Sequence, residues 1–250
     1  MSLEIRVIGI PGIPDISAGD DIAALITSAM AAQELKAAGL DVFVIAQKIV
    51  SKAEGRTVNL DSITPSAVAR RWAAAYDKDA RMVEVVLSES KRIVRMERGI
   101  LITETRHGFV CANAGVDASN VARGFVTLLP EDPDDSAGRI KGALEQRLGL
   151  QLAVIISDTF GRPWREGLVN VALGVAGIEP IVDLRGKKDW YGRELHVTAI
   201  AVADELASAA ELVMAKKSGI PAAIVRGFDY NPADSSGKDL IRAPEQDLFR

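Results

Sequence analysis

A carboxylate, a hydroxyl and two guanidinium groups follow the most apolar strand expected in this chain of 250 residues. Residues 155–165 read I-I-S-D-T-F-G-R-P-W-R, which we interpret as the end of a buried strand and then a turn that carries Asp158, Thr159, Arg162 and Arg165. Carboxylate and hydroxyl oxygens suit a cation, and guanidinium groups suit an anionic ligand. A turn that Asp158 merely caps, with solvated arginines, explains these residues equally well.

A second stretch of oxygen-bearing side chains lies at residues 109–120, F-V-C-A-N-A-G-V-D-A-S-N. Its small residues would let the backbone approach a ligand closely. The chain has only two histidines and one cysteine, Cys111, so we expect any metal here to be held by oxygen. Oxygen ligands favour Mg²⁺ or Mn²⁺ over zinc. The candidate donors are Asn113, Asp117, Ser119 and Asn120.

Two lysines, Lys48 and Lys52, follow a continuous apolar run at residues 42–45 that predicts a buried strand. Ammonium groups bind phosphate oxygens as point charges, although a solvated edge is the commoner role of such lysines. Carboxylates for a metal and cations for phosphates are the groups that phosphoryl transfer needs. Two hypotheses follow: the three stretches converge on one site, or they are unconnected surface features.

The elements that would position these residues are helices and strands in mixed order. A hairpin is predicted over residues 93–105, around Glu97-Arg98-Gly99, beside strand–helix–strand connections. We therefore predict an α+β fold of mixed sheets with flanking helices, in a single domain over residues 1–250. We expect the end of the polar tail, residues 229–250, to be mobile. Further predicted elements are a capped helix from Asp132 to the stop at Gly149 and strands at 152–156, 195–203 and 222–225.

Composition excludes several classes of protein. A net charge of −4 and a pI of about 5.4 give no basic footprint for nucleic acid. The apolar runs are shorter than the ~20 residues that span a bilayer, and the start lacks the pattern of a signal peptide. A single cysteine fits a reducing compartment, so we expect a cytoplasmic protein that binds small molecules. Neither a P-loop nor a G-x-G-x-x-G fingerprint is present.

Several long motifs, in order along nearly the whole chain, resemble those of the coenzyme F420-0:L-glutamate ligase family. None of them is a generic nucleotide-binding motif. They are Q-K-I-V-S-K-A-E-G-R (47–56), H-G-F-V-C-A-N-A-G-V-D-A-S-N (107–120), L-P-E-D-P-D-D-S-A (129–137), I-I-S-D-T-F-G-R-P-W-R-E-G (155–167), G-K-K-D-W-Y-G-R-E-L (186–195), A-D-E-L-A (203–207) and I-V-R-G (224–227).

The resemblance implies an α+β fold, an intertwined homodimer and a GTP-dependent ligase. Such an enzyme adds L-glutamate to the lactyl carboxylate of coenzyme F420-0 through an acyl phosphate, and then adds further γ-linked glutamates. It would use Mg²⁺ or Mn²⁺, assisted by K⁺. By motif, Asp117 and Asp158 resemble the catalytic ligands of one metal, and Thr159 resembles a ligand of a second. The implied GTP contacts are Ile13, Pro14, Asp15, Ile16, Gln47, Lys48, Lys52, Asn120, Met214, Ala215, Lys216, Lys217, Ser218, Gly219 and Ile220.

One segment departs from the family pattern. After Met214 the family often carries a small residue and then an oxygen-bearing side chain for the second metal, whereas this chain has Ala215-Lys216-Lys217. A protonated lysine cannot bind a metal. Either the second metal takes another ligand or water, or a lysine charge replaces part of its role.

Two assignments stay open at this point. Arg162, Arg165 and the basic cluster at residues 185–193 would hold substrate anions, or would form intersubunit salt bridges. The alternatives for function are a nucleotide-dependent amide ligase that acts on another acid, and a module that binds GTP and metal without ligase activity.

Overall fold

The computed structural model describes residues 4–247, and within them the chain forms twelve strands and six α-helices. Four short 3-10 helices lie at Leu60–Ser62, Asn113–Gly115, Gly237–Leu240 and Pro244–Gln246. The helices are α1 (Ile22–Ala32), α2 (Gln47–Ala53), α3 (Ala67–Tyr76), α4 (Ala80–Ser88), α5 (Pro133–Leu148) and α6 (Val202–Met214). The strands are β1 (Arg6–Gly9), β2 (Val42–Ala46), β3 (Thr57–Asn59), β4 (Ser90–Glu97), β5 (Ile100–Thr105), β6 (Val110–Ala112), β7 (Phe125–Thr127), β8 (Ala153–Gly161), β9 (Leu168–Ala176), β10 (Val182–Asp183), β11 (Ala199–Ile200) and β12 (Ala222–Arg226).

A five-stranded mixed sheet, in the order β1-β12-β2-β8-β9, organises most of these elements. Strands β2 and β8 are parallel, with Ala46 opposite Ser157 at their ends, and the other neighbouring strands are antiparallel. The carboxyl ends of β1, β2 and β8 therefore meet at one edge of the sheet, where β12 also begins. We call this the carboxyl edge.

Both faces of this sheet are covered by apolar helix surfaces. Phe43 and Ile45 of β2 pack in the cluster that α1 and α5 cover, whereas Val42 and Val44 pack in the cluster on the α6 side. Successive side chains of a strand point to opposite faces, so a strand covered on both sides must be apolar throughout. This explains the continuous apolar run at residues 42–45 and confirms the strand predicted there.

A second core lies under two small sheets, β3-β7 and β4-β5-β6, with α3 and α4 packed around it. The predicted hairpin is confirmed as β4 and β5, which pair in antiparallel register. Next to β7, the backbone of Asp117 exchanges two hydrogen bonds with Thr127, of 3.0 and 2.9 Å. This isolated bridge fixes the backbone of Asp117.

The prediction that Asp158 and Thr159 lie in a turn is wrong. Strand β8 continues to Gly161 because β9 pairs with it throughout, placing Asp158 opposite Val171 and Thr159 opposite Asn170. The polar side chains at these positions suggested a turn, but the pairing of β8 with β9 determines the backbone conformation. The turn itself spans residues 162–167.

A strand over residues 195–203 was also too long a prediction. Only Ala199 and Ile200 of that run form a strand, in a two-residue ribbon with β10. Helix α5, from Pro133 to a stop at Gly149 in the left-handed conformation, is confirmed, and so is the strand at residues 222–225.

The overall class is α+β, as predicted. Part of the polar tail packs on the body: Ser235 Oγ donates to Ile178 O, and Gly237 N donates to Asp134 Oδ1 at 2.7 Å. The last three residues of the predicted mobile tail lie outside the described residues. Within residues 4–247 no helix is long and apolar enough to cross a membrane.

Candidate active site

A cavity of about 340 Å³ opens at the carboxyl edge of the central sheet. Its walls come from the segment after β1, the start of α2, the end of β8, the end of α6 and the segment before β12, together with residues next to β7. Carboxyl edges of parallel strands are common binding sites because several loops converge there. The predicted site residues in its lining are Ile13, Pro14, Asp15, Gln47, Lys48, Lys52, Asp117, Asn120, Asp158, Thr159, Met214, Ala215, Lys216, Gly219 and Ile220.

The two lysines lie on one side of α2 because residues four apart share a helix face. Strand β2 passes directly into this helix at Gln47, so both ammonium groups are brought to the carboxyl edge. Lys48 Nζ donates hydrogen bonds of 2.7 Å to Asp117 Oδ2, Ser119 O and Ser119 Oγ. Lys52 Nζ donates to Asp15 Oδ1 at 2.6 Å. Each lysine therefore already faces a carboxylate across the cavity.

Asp117 is held in its charged form. Burial acts to raise the pKa of Asp117, but hydrogen bonds from Lys48 and Ser119 outweigh it, so the pKa lies below its usual value. Ser119 N donates to Asp117 Oδ1 at 2.7 Å, and Ser119 Oγ donates to Asp117 Oδ2 at 2.8 Å.

Asp158 behaves in the opposite way. Burial, together with the negative charge of Asp117, raises the pKa of Asp158 to about 6, although the charges of Lys48 and Lys216 act to lower it. A carboxylate that the protein does not fully stabilise in its charged form is suited to a bound cation.

A chain of hydrogen bonds links Thr159 to helix α6. Thr159 Oγ1 donates to Asn170 Oδ1 at 2.8 Å, and Asn170 Nδ2 donates to Glu211 Oε2 at 3.0 Å. All three residues line the cavity. Nearby, the buried side chain of Gln47 accepts a hydrogen bond of 2.8 Å from Ser51 Oγ, which fixes its orientation.

Six predicted site residues lie outside the cavity lining. Asn113, a candidate oxygen donor, lies in the short 3-10 helix Asn113–Gly115 and does not reach the cavity. Ile16 lies in a neighbouring groove that shares Asp15, Lys52 and Asn120 with the cavity. Lys217 and Ser218 are on the exposed side of their loop. In the turn between β8 and β9, Arg162 donates to the backbone oxygens of residues 166 and 167, and Arg165 is exposed nearby. The assignment of Arg162 and Arg165 to substrate stays a prediction.

Three polar residues of the cavity lining were missed from the sequence: Ser157, Asn170 and Glu211. Ser157 precedes Asp158 directly, and a bulge in the β8–β9 pairing beside it changes the strand alternation. Asn170 is the one amide in an apolar strand, a pattern that could have been noticed. Glu211 looked like a solvated helix residue, and only the packing of α6 against β9 brings it to the cavity.

The donors in the cavity fit a hard divalent cation. Asp117, Asp158, Thr159 and Glu211 offer only oxygen, the preferred ligand atom of Mg²⁺ and Mn²⁺. No group of three or more His, Cys, Asp or Glu side chains placed to hold a metal occurs among residues 4–247. Such a cation would thus complete its coordination with ligand oxygens and water, as Mg²⁺ commonly does.

The sequence is similar to known proteins over its whole length. It is 51% identical to "Coenzyme F420:L-glutamate ligase" from Methanothermobacter thermautotrophicus, covering 98% of this chain and 99% of that protein. Proteins of the same name from Methanocaldococcus jannaschii and Archaeoglobus fulgidus are 47% and 39% identical, covering 84% and 99% of this chain and 84% and 97% of theirs. The sequence pattern of the family described as F420-0:Gamma-glutamyl ligase matches residues 12–227. The chain therefore belongs to the F420-0:γ-glutamyl ligase family.

Proposed function

We propose that this protein is a ligase of coenzyme F420 biosynthesis that uses GTP to join L-glutamate to the lactyl carboxylate of F420-0. One observation carries the proposal: Lys48 and Lys52 lie in one cavity with Asp117 and Asp158, although these pairs come from distant parts of the chain. Relatives at 39–51% identity, whose names state coenzyme F420 and L-glutamate, support it, and so does the family description, which states F420-0.

GTP binding would exchange the partners of the two lysines. In the structure Lys48 pairs with Asp117 and Lys52 pairs with Asp15. The phosphate oxygens would take over the ammonium groups, which frees both carboxylates. Gln47 and Asn120 would add hydrogen bonds to the nucleotide, because both line the cavity.

The reaction itself would have two steps. First, an oxygen of the lactyl carboxylate attacks the γ-phosphorus of GTP, forming an acyl phosphate and releasing GDP. The deprotonated α-amino nitrogen of L-glutamate then attacks the acyl carbon, and inorganic phosphate leaves as the amide forms. Lys48 and Lys52 would stabilise the negative charge on the transferred group. Addition of further γ-linked glutamates would repeat these steps.

Asp117 and Asp158 would hold a Mg²⁺ or Mn²⁺ ion, which neutralises charge on the phosphates when it is bound. We include K⁺ as an activator because of the family resemblance. The same resemblance leads us to propose a cytoplasmic homodimer. Large apolar side chains on the surface support a partner subunit; they are Trp164, Leu168, Trp190, Tyr191, Val197 and Leu212.

The second candidate function is a module that binds nucleotide without catalysing a reaction. Lys216 favours this alternative, because it occupies the position where the family often carries an oxygen ligand for the second metal. We expect purified protein with Mn²⁺ and GTP to form GDP over many turnovers only when F420-0 and L-glutamate are both present, because without glutamate the reaction stops at one acyl phosphate per site. Binding of GTP without GDP release, with any acceptor acid, would favour the module. GDP release with another acid but not with F420-0 would favour a related amide ligase.

A further inference from the structure

A groove of about 640 Å³ lies beside the proposed GTP cavity, and the reaction described above gives it no role. We call it the side groove. Its walls come from the segment after β1, the end of α2, strand β3 and the segment that leads into β7. The apolar part of its lining consists of Ile16, Ala18, Val121, Ala122 and Phe125.

Three residues, Asp15, Lys52 and Asn120, line both the cavity and the side groove, so the two spaces border each other. The ion pair between Lys52 Nζ and Asp15 Oδ1, 2.6 Å, lies at this boundary. The side chain of Asp15 is 88% exposed, whereas that of Lys52 is 15% exposed. The carboxylate can therefore turn to solvent when a phosphate takes over the ammonium group, which would join the groove to the cavity.

Phe125 presents a large apolar side chain to the groove instead of to the core. Successive residues of a strand point to opposite faces, and Val126, the next residue of β7, is fully buried in the second core. Phe125 therefore turns away from that core and is 37% exposed. Its backbone is fixed by pairing with Asn59 of β3 and by a hydrogen bond of 3.0 Å from its N–H to Ala122 O. An exposed ring on a fixed backbone is suited to stacking against a planar ligand.

The segment after β1 supplies a second fixed wall of the groove. Gly19 N donates to Ala53 O at 2.8 Å, which ties the segment to α2, and Ser17 N donates to Asp20 Oδ2 at 2.7 Å. The hydroxyl groups of Ser17 and Thr57 line the groove and make no hydrogen bond within residues 4–247. An apolar wall with two available hydroxyls suits a heteroaromatic ring that carries polar substituents.

The sizes and linings of the two spaces indicate which substrate each one takes. A cavity of about 340 Å³ is at the low end of the range for one drug-sized ligand, so GTP leaves no room there for a second large substrate. L-glutamate has two carboxylates and no ring, so an apolar groove does not suit it. F420-0, in contrast, carries a planar deazaflavin ring far from its reacting carboxylate. For the guanine base, the cavity has apolar side chains of its own, namely Ile13, Met214, Ile220 and Pro221.

We propose that the side groove binds the deazaflavin ring of the acceptor, stacked against Phe125, while the lactyl carboxylate extends past Lys52 to the γ-phosphate of GTP. The inference deepens the proposed function and rests on it. Phe125 would contact a part of the acceptor that takes no part in the reaction. Its contribution to binding would thus be the same in the ground state and the transition state, so its loss should raise KM and leave kcat unchanged.

The test measures binding of F420-0 by isothermal titration calorimetry to protein saturated with Mn²⁺ and β,γ-imido GTP, without L-glutamate. We expect Phe125→Ala to raise the dissociation constant of F420-0 by about 10-fold, because the stacking contact is lost. Ala122→Gln extends a side chain into the groove from an exposed loop position and should raise this constant as well. Neither change should alter the affinity for β,γ-imido GTP alone.

The matched control is Tyr76→Ala. Tyr76 is 39% exposed on α3, close to the value for Phe125, and it lines neither the cavity nor the side groove. This variant should bind F420-0 like the wild type. In steady-state assays Phe125→Ala should raise KM for F420-0 at unchanged kcat, whereas general damage to the fold would lower kcat too.

Unchanged affinity for F420-0 in both Phe125→Ala and Ala122→Gln would overturn the inference while the ligase proposal stands. Weaker binding of β,γ-imido GTP in place of F420-0 would also overturn it, because the groove would then hold the guanine base. If Phe125→Ala does not fold, Ala122→Gln decides, since the contact of residue 122 with Phe125 N uses only its backbone oxygen. Failure of the wild type to bind either F420-0 or the analogue would overturn the proposed function as well.

Discussion

At the scale of single residues, the cavity combines side chains whose charges the fold treats differently. Lys48 stabilises the charge of Asp117, whereas Asp158 is buried and its pKa is raised to about 6. A raised pKa means that the ionised carboxylate is less favourable in the folded protein than in the unfolded chain. At neutral pH the charge of Asp158 therefore lowers the free energy of unfolding. That penalty is expected of a group kept for a cation rather than for the fold.

Asp158→Asn should therefore separate activity from stability. We expect ligase turnover to fall at least about 100-fold, because charge stabilisation at the reacting phosphate is lost. The same change should raise the melting temperature at pH 7.5, since it removes a buried charge that is not fully compensated. Turnover by phosphate release and melting by circular dichroism would be measured on the same sample. Full activity of this variant would remove Asp158 from the site.

Ala215 offers a second prediction at this scale. It follows the last residue of α6 with a φ of 29°, in the region that favours glycine. Ala215→Gly should raise the free energy of unfolding by about 1 kcal/mol, because the strain of a Cβ at positive φ is removed. The measurement is urea unfolding. Ala122→Gly, at an exposed loop position without a positive φ, is the control and should give no increase.

At the scale of elements, helix α5 approaches strand β9 closely at Gly174. A Cβ placed on Gly174 of β9 would lie 2.2 Å from Pro133 O at the start of α5. We expect Gly174→Ala to lower the free energy of unfolding by more than about 3 kcal/mol, since Pro133 O belongs to the backbone and the added Cβ is bonded directly to the backbone of β9, so neither atom can move aside independently.

The matched control for that change is Gly138→Ala on the exposed side of α5, where nothing lies within 4 Å of the added carbon. Alanine is the better helix former, so this variant should gain about 0.5–1 kcal/mol. Denaturant unfolding of both proteins gives the comparison. Equal effects at the two glycines would show that helix–sheet contact at Gly174 does not limit the fold.

Much of the fold at this scale could be predicted, because hydrophobic pattern and local signals decide it. Three features were predicted from such signals: the apolar run of β2, the hairpin of β4 and β5, and the two ends of α5. The end of β8 could not, since its polar residues are strand only through pairing with β9. The same limit applies to the site. Sequence motifs identified Asp117 and Asp158, but the position of Glu211 at the cavity results from tertiary packing, which no short-range sequence signal indicates.

At the scale of the whole molecule, large aromatic side chains are exposed to solvent on the surface of the single chain. Trp190 and Tyr191 are 95% and 87% exposed on the segment between β10 and β11. Aromatic residues contribute strongly to protein interfaces. This exposure is consistent with the proposed homodimer.

Light scattering should therefore give twice the chain mass of 26.7 kDa. Replacing Trp190 and Tyr191 together by serine should raise the dimer dissociation constant at least about 10-fold, because two apolar contacts are lost. Val68→Ser, at a half-exposed position on α3, is the control and should leave the dimer intact. A wild-type protein that stays monomeric at micromolar concentration would contradict the homodimer.

The central claim is that one cavity joins GTP chemistry to glutamate addition. Its most direct test is mass spectrometry of F420-0 after incubation with the protein, L-glutamate, GTP and Mn²⁺. We predict a mass gain of one glutamyl unit that disappears when GTP, metal or glutamate is omitted. Unchanged F420-0 under every nucleotide and metal tried would contradict the account.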